Sequence, residues 1–423
     1  MRNYRFLVLA IVACAAAPAA DRPEPATWFA GDPHAHRGIL CARSNADRML
    51  SPEELREMMR PNDLDVLAVL GDIGNGEIRE AAVDLPLVGK SDGLMHWDAE
   101  WHFDPKGVTF DQKAIGGHLV VLGLKHAEII YHEYTYPVID WARKQGAVVG
   151  FAHMQYLPDG FPENMSCCDP LEYPVEVALG SGVFLMEDVR GSETALPHYY
   201  RLLNCGFRPG LAAGTDYPCD SPPLPLGNLL TYVNVPDGKL TYRKWIDGIA
   251  AGRTVISRNG HNEFLDLKVN GGTGPGGDVS LAKPGKTQIE LVWTSKQAAA
   301  GRLELIRDGK VVLSREAKAA PGQSSRLQES VDFQQSGWIC ARRMDARGHV
   351  LHTAAVFVSV GGLPVRPRTE DAQFYVRYLE RLLEKTGPGG EWAGYYHQEG
   401  AAARARYQAA LAVFQRLAKS TAP

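Results

Sequence analysis

Gly31-Asp32-Pro33-His34-Ala35-His36 follows a short extended run, Thr27 to Ala30, and the reading of the whole chain turns on it. In an extended backbone, residues two apart face the same side, so His34 and His36 can offer two imidazoles to one metal ion from a rigid support. Two ordinary surface histidines would look the same in so short a stretch. The choice rests on the residues that the chain places after them.

Downstream of this pair, strands and helices alternate. Ser51-Pro52-Glu53-Glu54 has the layout of a capping box opening a helix, which Pro61-Asn62 stops. Asp65 to Leu70 is too apolar for an edge strand and too short for a helix, so it is expected as a buried strand, ending on Gly71-Asp72. The pattern repeats: a strand over His118 to Leu124, a helix over Tyr136 to Gln145 closed by Gly146, and a strand over Ala147 to Ala152 ending on His153. Val183 to Met186 leads to Glu187-Asp188, a helix spans Leu196 to Cys205, and Gly210 to Gly214 delivers Thr215-Asp216. Polar residues repeatedly at strand ends are how a βα barrel assembles a site, so residues 24–262 are expected to form one.

From Phe264 the texture changes. Glycine- and proline-rich turns, including Asn270 to Asp278, separate short runs with period-two alternation: Gln288 to Trp293, Arg302 to Ile306, Lys310 to Leu313, Trp338 to Arg342 and Thr353 to Val360. Residues 263–362 are therefore expected to be a small antiparallel β-sandwich. Residues 363–423 form a C-terminal helical segment, with helices over Asp371 to Lys385 and Ala401 to Lys419.

At 423 residues the chain exceeds a usual single core, which agrees with this division. A net charge of −4 with no basic block argues against a nucleic-acid partner. Residues 1–20, with Arg2 and Arg5, an apolar run from Phe6 to Ala17 and small residues at Ala17-Pro18-Ala19, have the layout of a secretory signal peptide, too short for a membrane span. Two readings of its end stand: cleavage near Ala19, or a lipid anchor at Cys14 within Ile11-Val12-Ala13-Cys14. Either way the mature chain is expected outside the cytoplasm, secreted, periplasmic or held at the cell envelope, with no transmembrane span. Beyond Cys14 there are six cysteines without CxxC spacing, which speaks against a thiolate zinc site; a disulfide joining the Cys167/Cys168 loop to Cys219 is compatible with export.

Ten of the thirteen histidines fall between residues 34 and 261. Among them His34, His36, His118 and His153, together with Glu100 and Asp216, lie at or near expected strand ends. Mixed imidazole and carboxylate donors suit zinc, manganese or iron, and a carboxylate such as Glu100 can bridge two ions. Asp98 rivals Glu100 within Trp97-Asp98-Ala99-Glu100-Trp101, a stretch expected as irregular loop. Asp72 is read either as a ligand or as a group orienting an imidazole. His96, His102, His126 and His132 are expected to line the pocket or lie on the surface, Tyr217, Arg190 and Lys125 could touch substrate, and Trp97 and Trp101 could be an apolar wall or core. No Gly-x-Ser-x-Gly elbow argues for a serine hydrolase.

In their order, Gly-Asp-x-His-x-His, Gly117-His118-Leu-Val-Val-Leu-Gly123, Gly150-Phe-Ala-His153 and Ala213-Gly-Thr-Asp216 resemble the motifs of PHP-type metallohydrolases. The carbaryl-hydrolase-like branch called CehA/McbA is the nearer likeness, through Ala251-Gly-Arg-Thr-Val-Ile-Ser257 leading into a small β domain and His352-Thr-Ala-Ala-Val-Phe-Val358. The resemblance spans roughly residues 28 to 380. It implies an α/β chain built on a distorted (βα) PHP-like barrel. It further implies His34, His36, Glu100 and Asp216 on one divalent ion, and Glu100, His118 and His153 on a second. Where some PHP enzymes carry third-site imidazoles this chain has Cys41-Ala42, Gly71-Asp72-Ile73 and Asp216-Tyr217-Pro218, so two ions (Zn, Mn or Fe) are expected. Glu100, Asp216 and Asp72 are the carboxylates expected in catalysis. The implied activity is hydrolysis of a small-molecule phosphoester, carboxyl ester, carbamate or amide by a metal-held hydroxide. A non-catalytic envelope binding protein with a degenerate metal site is the rival, and retention of all six donors weighs against it.

Overall fold

A computed structural model describes residues 22–37, 49–74, 84–103, 115–165, 168–188, 195–219 and 224–419. The expected leader with Cys14, and Cys41, Cys167 and Arg190, lie outside the described residues. The first strand, β1 (Trp28–Ala35), is longer than expected and carries His34 within it. Helix α1 (Pro52–Met59) opens with the expected capping box: the Glu54 amide donates to Ser51 Oγ at 3.2 Å and the Ser51 amide to Glu54 Oε2 at 2.8 Å. Strand β2 (Val66–Asp72) is buried throughout.

Beyond the two-residue β3 (Ser91–Asp92) the structure departs from expectation: the stretch expected as loop is strand β4 (Met95–His102), buried along its whole length. Its alternation is plain in retrospect: Met95, Trp97, Ala99 and Trp101 on one face, His96, Asp98, Glu100 and His102 on the other. Trp97 and Trp101 are therefore core. Asp98 shares Glu100's face but is spent on the fold, accepting from the amides of Gly123 at 2.7 Å and Leu124 at 3.1 Å and from the Tyr242 hydroxyl.

The alternation then runs as expected through β5 (His118–Leu122), α2 (Thr135–Lys144) and β6 (Val148–Phe151), then through a short helix not foreseen from the sequence, α3 (Tyr173–Ala178), to the expected β7 (Phe184–Glu187), α4 (Ala195–Asn204) and β8 (Gly210–Ala213), followed by β9 (Leu230–Asn234), α5 (Tyr242–Ala250) and β10 (Thr254–Ser257). Hydrogen-bonded order is β10-β9-β1-β2-β4-β5-β6-β7-β8. The sheet is mixed: β1-β2, β2-β4, β6-β7 and β7-β8 pair in parallel, while β5 runs antiparallel to both neighbours. His118 begins its strand whereas Glu100 sits near the end of its own, and the reversal of β5 brings both to one edge, with His102 opposite His118 in register.

Among the described residues the backbone ladder does not close into a barrel. Strand β8 comes back against β9 and β10, and threonine side chains bridge the seam: Thr231 Oγ1 accepts from the Ala213 amide and donates to its carbonyl, both at 2.8 Å, and Thr254 Oγ1 donates to the Leu211 carbonyl at 2.6 Å. A glycine is required here. A Cβ on Gly214 would lie 2.8 Å from the Cβ of His34, so only glycine lets the end of β8 approach β1 this closely.

The second half continues the same sheet. After β11 (Glu263–Val269), β12 (Asp278–Leu281) and β13 (Gly285–Ser295) come β14 (Ala299–Arg307), β15 (Lys310–Ala319), β16 (Gln323–Phe333), β17 (Gly337–Asp345), β18 (Gly348–Thr353) and β19 (Val356–Val360). Thr353 to Val360, expected as one strand, is broken at Ala354-Ala355 between two strands that both pair with β17, β18 carrying β10 on its other side and β19 carrying β12. Strand β18 pairs with β10, joining the two halves edge to edge, while β11-β13-β16 form a separate antiparallel sheet of three strands. A shared core that includes Trp28, Tyr232, Phe264, Trp293 and Leu351 fills the space between them. Helices α6 (Thr369–Thr386) and α7 (Gly400–Lys419) pack on the other flank through a tyrosine-rich core, where buried Glu172 accepts from Thr135 and Tyr407.

Asp32 ties the site's elements together. Fully buried, it accepts from the amides of His34 (3.1 Å), Thr215 (3.0 Å) and Gly227 (3.1 Å) and from Thr215 Oγ1 (2.5 Å). Burial pushes its carboxyl up to about 6 against those four donors. Replacement by alanine would strand three buried amides, so Asp32→Ala is expected to cost roughly 3 kcal/mol or more. Urea denaturation checks this; a loss below about 1 kcal/mol would show that the network does not hold the site's turns.

Candidate metal centre

Three strands, and the segments that follow three strands, deliver six donors to one place. His34 and His36 come from β1 and the residue after it, Glu100 from β4, His118 from β5, His153 from two residues past β6, and Asp216 from three residues past β8. Donor atoms of His34, His36, Glu100 and Asp216 all lie within 4.8 Å of one another. The His36 and His34 Nε2 atoms are 3.3 Å apart, and Asp216 Oδ1 is 3.3 Å from the first pair member, His34, and 3.4 Å from His36. Glu100 connects this group to the next. Its Oε2 is 3.1 Å from His36 Nε2, and its Oε1 lies 3.4 Å from His34 Nε2, 2.8 Å from His118 Nδ1 and 3.7 Å from His153 Nε2. His153 Nε2 is 3.1 Å from His118 Nδ1.

The far nitrogens show that these rings are aimed. His36 Nδ1 lies 3.0 Å from the Leu70 carbonyl, which can only accept, so Nδ1 carries a proton and Nε2 is the nitrogen turned to the cluster. Asp188 does the same for two rings at once: Oδ2 is 3.2 Å from His34 Nδ1 and Oδ1 is 2.9 Å from His153 Nδ1, while the His153 amide donates to both oxygens. Composition and motif order did not single out Asp188, although it stands after a strand as the other site residues do. His153 and Asp216 also hold positive φ, 56° and 49°, the left-handed region that Asp and His enter more readily than most residues other than glycine.

Electrostatics agree with the geometry. Burial works against ionising Glu100, but His34 and His118 hold its carboxyl well below the usual range. Burial likewise opposes protonation of His34, yet Asp216, Glu100 and Asp188 raise it well above its ordinary value; His36 is raised to about 9 against the same opposition by Asp216 and Glu100. Burial, with His102 and His153 nearby, lowers His118 in spite of Glu100. Without a cation the negative charge of the site is balanced by protons on imidazoles. The donor chemistry thus fits divalent ions, with His34, His36, Glu100 and Asp216 able to hold one, and Glu100, His118 and His153 able to hold another.

Other expected site residues lie elsewhere. Asp72 does not enter the cluster: its Oδ2 is 2.6 Å from His102 Nε2 and its Oδ1 accepts from the Gly74 amide at 2.7 Å, so it orients His102, whose ring stacks on His118 with centroids 4.8 Å apart. His96 stacks on Tyr242, His132 pairs with Glu399, and His126 and Lys125 are exposed. Tyr217 is half-buried against the core shared with the second half. Cys168 and Cys219 are each disulfide-bonded. The sulfur of Cys168 lies within 4.8 Å of the His118 and His153 nitrogens, but in a disulfide it offers no thiolate. A 470 Å³ cleft lined by Trp28, Asn234, Arg253, Lys268 and the 272–277 turn lies at the start of β1, some six residues or about 20 Å from His34, and takes no part in this site.

No protein-family model matches the chain, and neither does any curated protein. Solved structures with some likeness include the CARDB domain of the PF1109 protein from Pyrococcus furiosus in complex with di-metal ions (12% identity, 23% of this chain and 96% of that one, TM-score 0.18) and a beta-glucosidase from Listeria innocua in complex with glucose (9% identity, 24% of this chain and 17% of that one, TM-score 0.16). Likeness at this level establishes no shared fold.

Two outcomes are expected of the site. Because the folded value of His36, about 9, lies above its ordinary 6.5, the metal-free site holds that proton at neutral pH, and metal uptake must displace it. Zinc titration in weak buffer should therefore release protons at neutral pH, with release declining as pH rises through about 9; uptake without release would show that His36 is not a donor. Separately, Asp188→Asn should weaken metal affinity about 10- to 100-fold in competition with a chromophoric chelator, since both rings lose their anchor.

Proposed function

We propose that this chain is an exported metal-dependent hydrolase of the PHP type, allied to the CehA/McbA branch, with a distorted barrel of that family as its first domain. One observation carries the reading: two sets of buried donors share a single carboxylate, Glu100, whose Oε2 lies beside His36 and whose Oε1 lies between His34 of the first set and His118 and His153 of the second. Divalent ions held there would supply Lewis acidity and bring the pKa of a water toward neutrality, a chemistry able to hydrolyse a phosphoester, carboxyl ester, carbamate or amide.

The chain's own groups have defined parts in this reading. Glu100, ionised, sets the separation of the two donor sets. Asp188 and the Leu70 carbonyl keep protons on the far nitrogens of His34, His153 and His36, so the near nitrogens remain available. Asp216 reaches the site from a loop rather than a strand, and lies beside both rings of the first pair. Tyr156, well exposed with its ring 5.6 Å from that of His153, is placed to meet an apolar substituent of a substrate. Among the described residues no helix is long and apolar enough to cross a membrane.

Elemental analysis of the purified mature protein should find about two transition-metal ions per chain. Chelation should abolish turnover of aryl ester, carbamate or phosphoester substrates, and zinc, manganese or iron should restore it. Fewer than about one ion per chain after supplementation with each metal would overturn the reading. Glu100→Gln should reduce activity far more than Asp72→Asn, because the first unbalances both donor sets whereas Asp72 acts through His102. Equal losses at unchanged circular dichroism would refute the shared-carboxylate arrangement.

A further inference from the structure

The second donor set has a neighbour the hydrolase reading does not use. Cys168 is buried, and its Sγ and the ligand nitrogens of His118 and His153 all lie within 4.8 Å of one another. Its sulfur is now in a disulfide. The segment that carries it is pinned independently of that bond: the Leu171 amide donates to the Ile115 carbonyl at 3.0 Å, and the backbone of Asp169 and Pro170 rests against Gly117, where any Cβ would come within 2.6 Å of Pro170 Cα. Opening the disulfide would therefore leave the sulfur beside the two imidazoles.

We propose that Cys168 is a latent metal ligand, and that reduction of its disulfide turns the His118/His153 pocket into a site with two imidazoles, the Glu100 carboxylate and a thiolate. The inference rests on the metal-binding reading of the cluster. The chemistry is a two-electron exchange. A dithiol attacks the disulfide, each sulfur of the disulfide leaves as a thiol, and the dithiol closes to its own cyclic disulfide. An ion entering the pocket then takes an electron pair from Cys168 Sγ, whose proton passes to solvent. Bonds of about 2.3 Å to sulfur and 2.0 to 2.1 Å to nitrogen would then fix Sγ against two imidazoles whose nitrogens already stand 3.1 Å apart. A thiolate makes the pocket softer, so the oxidised protein accepts hard and borderline ions while the reduced protein favours zinc or cobalt over manganese. Thiol state would thus select the metal at one of two adjacent sites.

Cobalt(II) reports this without any turnover assay. The full-length metal-free protein is loaded with cobalt before and after treatment with a dithiol. Ligand-field bands should appear in both states, and a near-ultraviolet sulfur-to-cobalt charge-transfer band only after reduction. Cys205 and Cys340 are free thiols already, so they do not account for a band that needs reduction. The band should vanish in Cys168→Ser and persist in Cys219→Ser. In the reduced wild type, zinc should protect Cys168 from alkylation, read by peptide mass spectrometry, which requires no variant. Ligand-field bands without the charge-transfer band, a band that survives in Cys168→Ser, or loss of the near-ultraviolet circular dichroism on reduction would each overturn the inference while leaving the hydrolase reading intact. Absence of cobalt binding in both states would overturn the two together.

Discussion

A single carboxylate buried among four imidazoles is the constraint to which the rest of the structure answers. Glu100 is 4% exposed, and an unpaired ion there would cost several kcal/mol, so the fold must bring positive or polarisable groups to it from every side. The central position of β4 does this. With β2 on one flank and the reversed β5 on the other, a residue near the end of β4 faces both the β1 pair and the start of β5. Asp32 and Asp188 act a layer further out, the first on the backbones of His34 and Thr215, the second on the far nitrogens of His34 and His153. Removing either leaves the histidines present but no longer aimed.

Much of this was legible from residues alone. The β1 pair, the buried strands β2, β5 and β6, the helix opened by Ser51, and the convergence of His118, His153 and Asp216 could be read because apolar runs of strand length ended in groups that bind metals. Strand β4 could not be read by the same rule, since its buried inner face is polar: His96, Asp98, Glu100 and His102 look like loop to any hydrophobicity criterion. Strict alternation against Met95, Trp97, Ala99 and Trp101 was the available signal. Asp188 escaped because its work is indirect, and a carboxylate that only holds imidazoles has no spacing motif. Of the two readings of Asp72, ligand or group orienting an imidazole, the structure matches the second: register with Glu100 sets it beside His102 instead of in the cluster.

Sheet closure was likewise beyond sequence. An expectation of barrel topology concerns strand order, whereas closure depends on register and twist at the last seam. Here Thr231 and Thr254 make contacts that a backbone ladder would make in a closed barrel. Threonine suits the task, because a β-branched residue stays in strand geometry while its hydroxyl both donates and accepts.

The edge pairing of β10 with β18 bears on how this architecture can be cut or recombined. Val255, Ile256 and Ser257 are buried and paired with β18 residues Thr353, His352 and Leu351 of the second half. A fragment ending near residue 262 would expose that row of amides and carbonyls beside apolar side chains, an invitation to intermolecular strand addition. The half that carries the donor cluster is therefore a poor candidate for transplantation on its own, and gene fusions or truncations that respect this sheet must carry β17 and β18 with it.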